Sequence, residues 1–228
     1  MTLVLAALVL AVAGTPSVNS VCAVFERMVK GPGSEEHVQG FYYFQAPHKV
    51  TLDVRSPVRQ LVVFDGNTVT FYYPVENKAF RVKSRSPVSV PFLEALASVQ
   101  PETKHLAQLG YTLSAHEFKG DTLVSRWQPP PKLKKALGAL TLRETRGRLI
   151  SFDELTPKGQ LESRTSFANH VRFGSAYFPL EIRSESYLES ESSEERVTYS
   201  NVEFNCTLPK EIASFSLPKT AILREVQW

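Results

Sequence analysis

The side chains that could do covalent or metal chemistry in this sequence are scattered rather than gathered. Its five histidines, His37, His48, His105, His116 and His170, stand singly. None forms H-E-x-x-H or another spacing that would set two imidazoles on one metal. No serine occupies a G-x-S-x-G elbow, and no glycine-rich loop has the pattern that cradles phosphate. Asp65 and Asp153 fall at or beside turns, where a carboxylate bonds local backbone. These absences predict a protein that is not an enzyme and has neither metal nor cofactor. The two cysteines, Cys22 and Cys206, are too few for a zinc site. They admit a disulfide in an exported chain, a pair of buried free thiols, or lipidation at Cys22. Val21 argues against the last, because that position takes a small residue.

What the sequence has instead is apolar surface arranged on strands. Residues Gly40 to Phe80 divide into four strand-like pieces at Gln45-Ala46-Pro47, Arg55-Ser56-Pro57 and Asp65-Gly66-Asn67. In the second piece Val50, Leu52 and Val54 alternate with Lys49, Thr51, Asp53 and Arg55, the period-two signature of a strand. Asp65-Gly66 between two apolar runs signals a hairpin, because glycine takes positive φ without steric cost.

Around this stretch the chain of 228 residues carries a net charge of +3, with both signs interspersed. No concentrated basic face for nucleic acid follows from that pattern. Leu3 to Ala13 is continuously apolar and ends in an A-x-A cleavage pattern. It is too short to span a bilayer and reads as an export signal over residues 1–13, the alternative being a retained N-terminal helix. Val18, Val21, Cys22, Phe25, Met28 and Val29 fall at helical spacing and predict a helix stopped by Gly31-Pro32-Gly33. Further strands are expected near 79–83, 111–118, 122–128, 140–144, 149–155, 160–170, 178–188 and 196–207. A helical stripe of Phe92, Leu93, Leu96 and Val99 interrupts them. Residues 190–195 (SESSEE) read as a solvated hairpin tip, and Phe215 and Leu217 as a packed tail. No βαβ rhythm appears, so parallel pairing is not expected. The fold class is mainly β (α+β), a single curved antiparallel sheet in one domain over residues 14–228. A sheet of this size wraps into a barrel or part of one. Its concave face would be lined by Val50, Leu52, Val54, Leu61, Val63, Val69 and Phe71, and closed by Phe92, Leu93 and Leu96.

The Gly-aromatic-x-aromatic-x-x-x-Pro of residues 40–47, followed by Asp-Gly-x-x-Val-x-Phe-Tyr-x-Pro at 65–74, resembles the LolA family of periplasmic lipoprotein carriers. The resemblance continues at Pro91-Phe92-Leu93, where the family has its lid, and at 153–167. It implies an incomplete β-barrel with lid helices at about 87–109. It further implies a periplasmic, monomeric carrier that shelters lipoprotein acyl chains and delivers them toward the outer membrane. Its partners would be an acylated lipoprotein or lipid, an inner-membrane exporter and an outer-membrane acceptor. Two other roles suit the same architecture: a carrier of another lipid or glycolipid served by a membrane exporter, and a lipid- or peptide-sensing domain that transports nothing. The family's lid-locking arginine falls at Ala46 here, which can make no such bond. His48 and Lys49 are the neighbouring substitutes.

Overall fold

In the computed structural model, residues 17–83, 106–107, 110–174, 176–187 and 193–227 are described. The expected signal segment and the lid residues Phe92, Leu93 and Leu96 lie outside them. Local turn chemistry lays out a first meander: β1 (Ser20–Gly31), β2 (Ser34–Gln45), β3 (Lys49–Ser56), β4 (Gln60–Asp65), β5 (Thr68–Tyr73) and β6 (Lys78–Lys83). Pro47 and Pro57 sit in the connections, both after cis peptide bonds, and Gly66 has φ +58° in the β4–β5 turn. A second meander comprises β7 (Thr112–Lys119), β8 (Thr122–Gln128), β9 (Leu140–Thr145), β10 (Arg148–Leu155) and β11 (Leu161–Ala168). A small separate hairpin follows, β12 (Val171–Phe173) and β13 (Ala176–Phe178), and then β14 (Glu181–Ser186) and β15 (Ser193–Phe204) complete the meander.

The two meanders join where β1 pairs with β15, giving one fourteen-stranded sheet in the order β16-β6-β5-β4-β3-β2-β1-β15-β14-β11-β10-β9-β8-β7. It is curved and open, so the expected incomplete barrel is the fold. β16 (Ile222–Gln227) runs parallel to β6 along one edge. That is one parallel pair where none was expected. It is possible because a long crossover, residues 205–221 with the short helix α1 (Lys210–Ala213), returns the chain across the sheet. Arg81 and Glu225, 3.0 Å apart, and Asn77 Nδ2 donating to the Thr220 carbonyl at 3.0 Å fasten it.

The predicted N-terminal helix is instead the strand β1. Val21, Ala23 and Phe25 also satisfy period two, and all three are buried. β1 finds hydrogen-bonding partners on both sides, β2 and β15, so its backbone is satisfied without helical bonds. The hairpin tip expected at 190–195 is likewise shorter, because β15 begins at Ser193.

The β1–β15 joint is reinforced at one end. Cys22 and Cys206 form a disulfide with Cα atoms 6.1 Å apart. Beside it the Ser20 hydroxyl donates to the Cys206 carbonyl at 2.7 Å, and Asn205 N donates to the Ser20 carbonyl at 2.8 Å. The bridge spans a sequence separation of 184 residues, so it removes much freedom from the unfolded chain, about 5 kcal/mol in the chain-entropy picture. At the β2–β3 bulge a Cβ on Gly40 would lie 2.3 Å from the Asp53 carbonyl oxygen and 2.9 Å from Val54 Cα. Backbone closes that space, which is the reason for glycine at the head of its aromatic motif. Reduction of the disulfide is expected to lower the melting temperature by 10 °C or more on this order-of-magnitude estimate, read by thermal denaturation with and without a phosphine reductant; an unchanged midpoint contradicts it. Gly40→Ala is expected to cost roughly 2 kcal/mol or more in denaturant titration, because the added methyl must push β2 and β3 apart.

Candidate functional site

The two faces of the sheet differ in chemistry. Cross-strand register places Val50 opposite Phe44 and Phe44 opposite Val21. In the same way Leu52 meets Tyr42 and Tyr42 meets Ala23, while Val54 meets Gly40 and Gly40 meets Phe25. These residues define an inner face. It continues outward through Val62, Phe64, Val69 and Phe71, and in the other direction through Tyr199, Val197, Ile182 and Phe167. Nearly all of them belong to one buried apolar cluster.

The sequence-predicted lining residues divide between the faces. Val50, Leu52, Val54 and Val69 are in the inner cluster, with Phe71 packed against it. Leu61 and Val63 are not. They pair with Asp53 and Thr51, so they point outward, and this corrects the expectation of a single lining set. Val63 is nonetheless buried. The outer face here carries the C-terminal segment, with the Phe215 ring 6.0 Å from Tyr72 and Ile212 buried. Of the expected lid range only Leu106 and Ala107 are described, and Leu106 packs against the inner cluster, as does Tyr111. Ala46 sits exposed in the β2–β3 turn, its N–H bonded to the Asn19 carbonyl at 2.8 Å. His48 faces Asp65 at 3.3 Å.

Sequence reasoning missed the β12–β13 hairpin, reading Phe178 as the start of β14. Pro179 ends that alternation, and the hairpin leaves the sheet to seat on the inner face. The Phe178 ring lies 5.8 Å from Tyr42 and 5.0 Å from Tyr199, and Phe173 stacks on Phe204 at 4.9 Å. At its foot, His170 Nε2–H donates to the Leu149 carbonyl at 3.1 Å. Burial holds that imidazole below its ordinary range, which keeps it neutral.

Among the described residues, charge lies at the margins of the inner face. Arg27 binds Glu195 at 2.6 Å and Glu36 at 3.5 Å where β1, β2 and β15 end. Glu144, between Leu123 and Leu149, has its carboxyl pushed up by burial. Over β9–β14 the outer face is a ladder of ions. Asp153, expected to bond turn backbone, is buried mid-strand, with Arg164 at 2.7 Å and Arg143 at 2.9 Å. Burial is the largest single influence and pushes its carboxyl up, but the hydrogen bonds and charges of the two guanidinium groups outweigh it and hold the group low. Glu181 likewise accepts from Arg183 at 2.6 Å and faces Arg196 at 3.2 Å. Among the described residues no three His, Cys, Asp or Glu side chains are placed to hold a metal ion. No described helix is long and apolar enough to cross a membrane.

The family model for the outer membrane lipoprotein carrier protein LolA matches residues 17–126. A LolA superfamily protein from Nitrosomonas europaea has a similar fold, with TM-score 0.59 at 13% identity, over 85% of this chain and 90% of that one. A DUF1329 family protein from Desulfovibrio piger is similar at TM-score 0.61 and 14% identity, over 86% of this chain and 90% of that one. No curated protein matches.

The Asp153 cluster sets a pH dependence. A carboxyl held low in the folded state contributes stability above its unfolded value, ordinarily 3.8, and loses it as the pH falls through the folded value. Asp153→Asn is therefore expected to cost roughly 1–3 kcal/mol near neutral pH. The gap from the parent protein should close progressively below pH 3.8. Urea titrations across pH measure this, and a gap independent of pH contradicts it.

Proposed function

This chain is LolA-like, and from that premise we propose that it is a periplasmic carrier whose inner face shelters acyl chains of lipoproteins or related lipids. The observation that supports this reading is the continuity of the apolar inner face from β5 across β1 to β11, with charge among the described residues at its margins. Hydrocarbon in water costs about 0.8 kcal/mol per methylene, so a chain of about sixteen carbons carries roughly 12 kcal/mol that such a face offsets.

The cover of this face is what makes release feasible. Segments between strands pack on it, at Leu106 before β7 and at Phe173 and Phe178 between β11 and β14. Incoming acyl chains replace those apolar contacts with others of the same kind. Net affinity is then the difference of two similar burials, and an acceptor with a more accessible apolar site takes the cargo. The lining is Val50, Leu52, Val54, Val69 and Phe71, and delivery runs from an inner-membrane exporter to an outer-membrane acceptor.

Phe71 and Phe41 make the test, since both are partly accessible phenylalanines on opposite faces. In displacement of a fluorescent naphthylamine probe by palmitoyl lipids, Phe71→Glu is expected to weaken binding roughly tenfold or more, because a charge is placed against hydrocarbon. Phe41→Glu should leave it unchanged, with far-ultraviolet circular dichroism native for both. Equal losses from the two faces, or none from Phe71→Glu, would sink the inner-face assignment.

A further inference from the structure

Tyr42 is an inner-face group whose chemistry the apolar reading does not use. It stands mid-strand in β2 between Ala23 and Leu52 and is fully buried. Its ring is boxed by Tyr199 at 5.4 Å and by Phe178 of the β12–β13 hairpin at 5.8 Å. Its hydroxyl has no hydrogen-bond partner among the described residues. A buried O–H left unmatched costs stability that phenylalanine at the same place would not. The residue is therefore suboptimal for packing alone.

The hairpin above it is not a strand pair of the large sheet. It forms a two-stranded sheet of its own, tied to the large sheet at its neck and foot by Leu180 N–H donating to the Ala168 carbonyl at 3.2 Å, Tyr199 N–H donating to the Leu180 carbonyl at 2.8 Å and His170 donating to the Leu149 carbonyl at 3.1 Å. Its hold on Tyr42, Tyr199 and Phe204 is aromatic contact through Phe173 and Phe178, which a hydrocarbon chain reproduces.

We propose that the box under the β12–β13 hairpin is the subsite for the ester carbonyl of an acyl lipid, with the Tyr42 hydroxyl donating to the carbonyl oxygen once the hairpin is displaced. This deepens the carrier reading and rests on it. Burial pushes the phenol far above its ordinary range, so it stays a neutral donor throughout the physiological range and suits a neutral acceptor. A neutral phenol supplies no counter-charge for a carboxylate, and the inner-face Arg27 is already bound by Glu195 and Glu36. The subsite thus selects esterified chains over free fatty acids and over ether-linked chains, whose oxygen is a weaker acceptor.

The test compares a dipalmitoyl glycerol with its dihexadecyl ether analogue, which differs only in lacking the two carbonyls, in the probe-displacement assay. The wild-type protein is expected to bind the ester roughly fivefold tighter, the net worth of one hydrogen bond. Tyr42→Phe should remove that preference by weakening the ester alone. The same variant, without lipid, should melt at the wild-type temperature or above it, because an unmatched polar group has been deleted. Three results overturn the subsite: equal binding of both lipids by the wild type, an ester preference kept in Tyr42→Phe, or a lipid-free variant that melts several degrees lower. Binding of neither lipid by the wild type sinks the carrier reading itself, a result separable from the other three.

Discussion

The pairing of β1 with β15 is the constraint from which the rest of the structure follows. Each meander is local, because every neighbouring pair within it is joined by a short turn or an inserted segment. This ladder brings residues from near the two ends of the chain into register, Val21 against Phe204 and Lys30 against Glu194. It converts two independent antiparallel ribbons into a single curved surface. Such a contact is late and entropically expensive to form, and the chain places three kinds of support on it: a disulfide, side-chain and backbone hydrogen bonds at Ser20 and Asn205, and buried apolar residues on both strands.

The separation of chemistries follows from that joint. A ribbon with one apolar face must cover it, and the united sheet does so by curving around its own inner face. The outer face then has two treatments. Over β9–β14 it meets solvent, and arginine–carboxylate pairs occupy it. Over β3–β6 it holds Thr51, Asp53, Thr70 and Tyr72, all buried, which requires a cover that the C-terminal segment supplies. The parallel strand β16 is the end of that cover, and a packing need on the outer face accounts for an otherwise irregular topology.

What could be read in the sequence was local. Prolines 47 and 57, Asp65-Gly66 and Glu76-Asn77 mark the connections of the first meander because turn geometry is written in a few adjacent residues. The aromatic motif at Gly40 and the Asp-Gly hairpin carried the family resemblance for the same reason. What could not be read was non-local. β1 satisfied both helical and strand periods, and the choice was made by β15, nearly the whole chain away. Leu61 and Val63 looked equivalent to Leu52 until the register across the Ser56–Arg59 connection set their parity. Asp153 looked like a turn residue because its partners, Arg143 and Arg164, lie on two other strands. The β12–β13 hairpin hid inside a continuous alternation that only Pro179 interrupts. Tyr42 was legible as an aromatic but not as an unmatched donor, since that property belongs to its surroundings.

One consequence of the Cys22–Cys206 bridge concerns damage rather than folding. The bond encloses nearly all the turns of both meanders, so a protease that cuts any one of them leaves two pieces still covalently joined. The cut pieces also remain held in register by intact ladders on either side. A chain wired in this way tolerates a nick as a scratch rather than a break, and keeps its shape after a single cut.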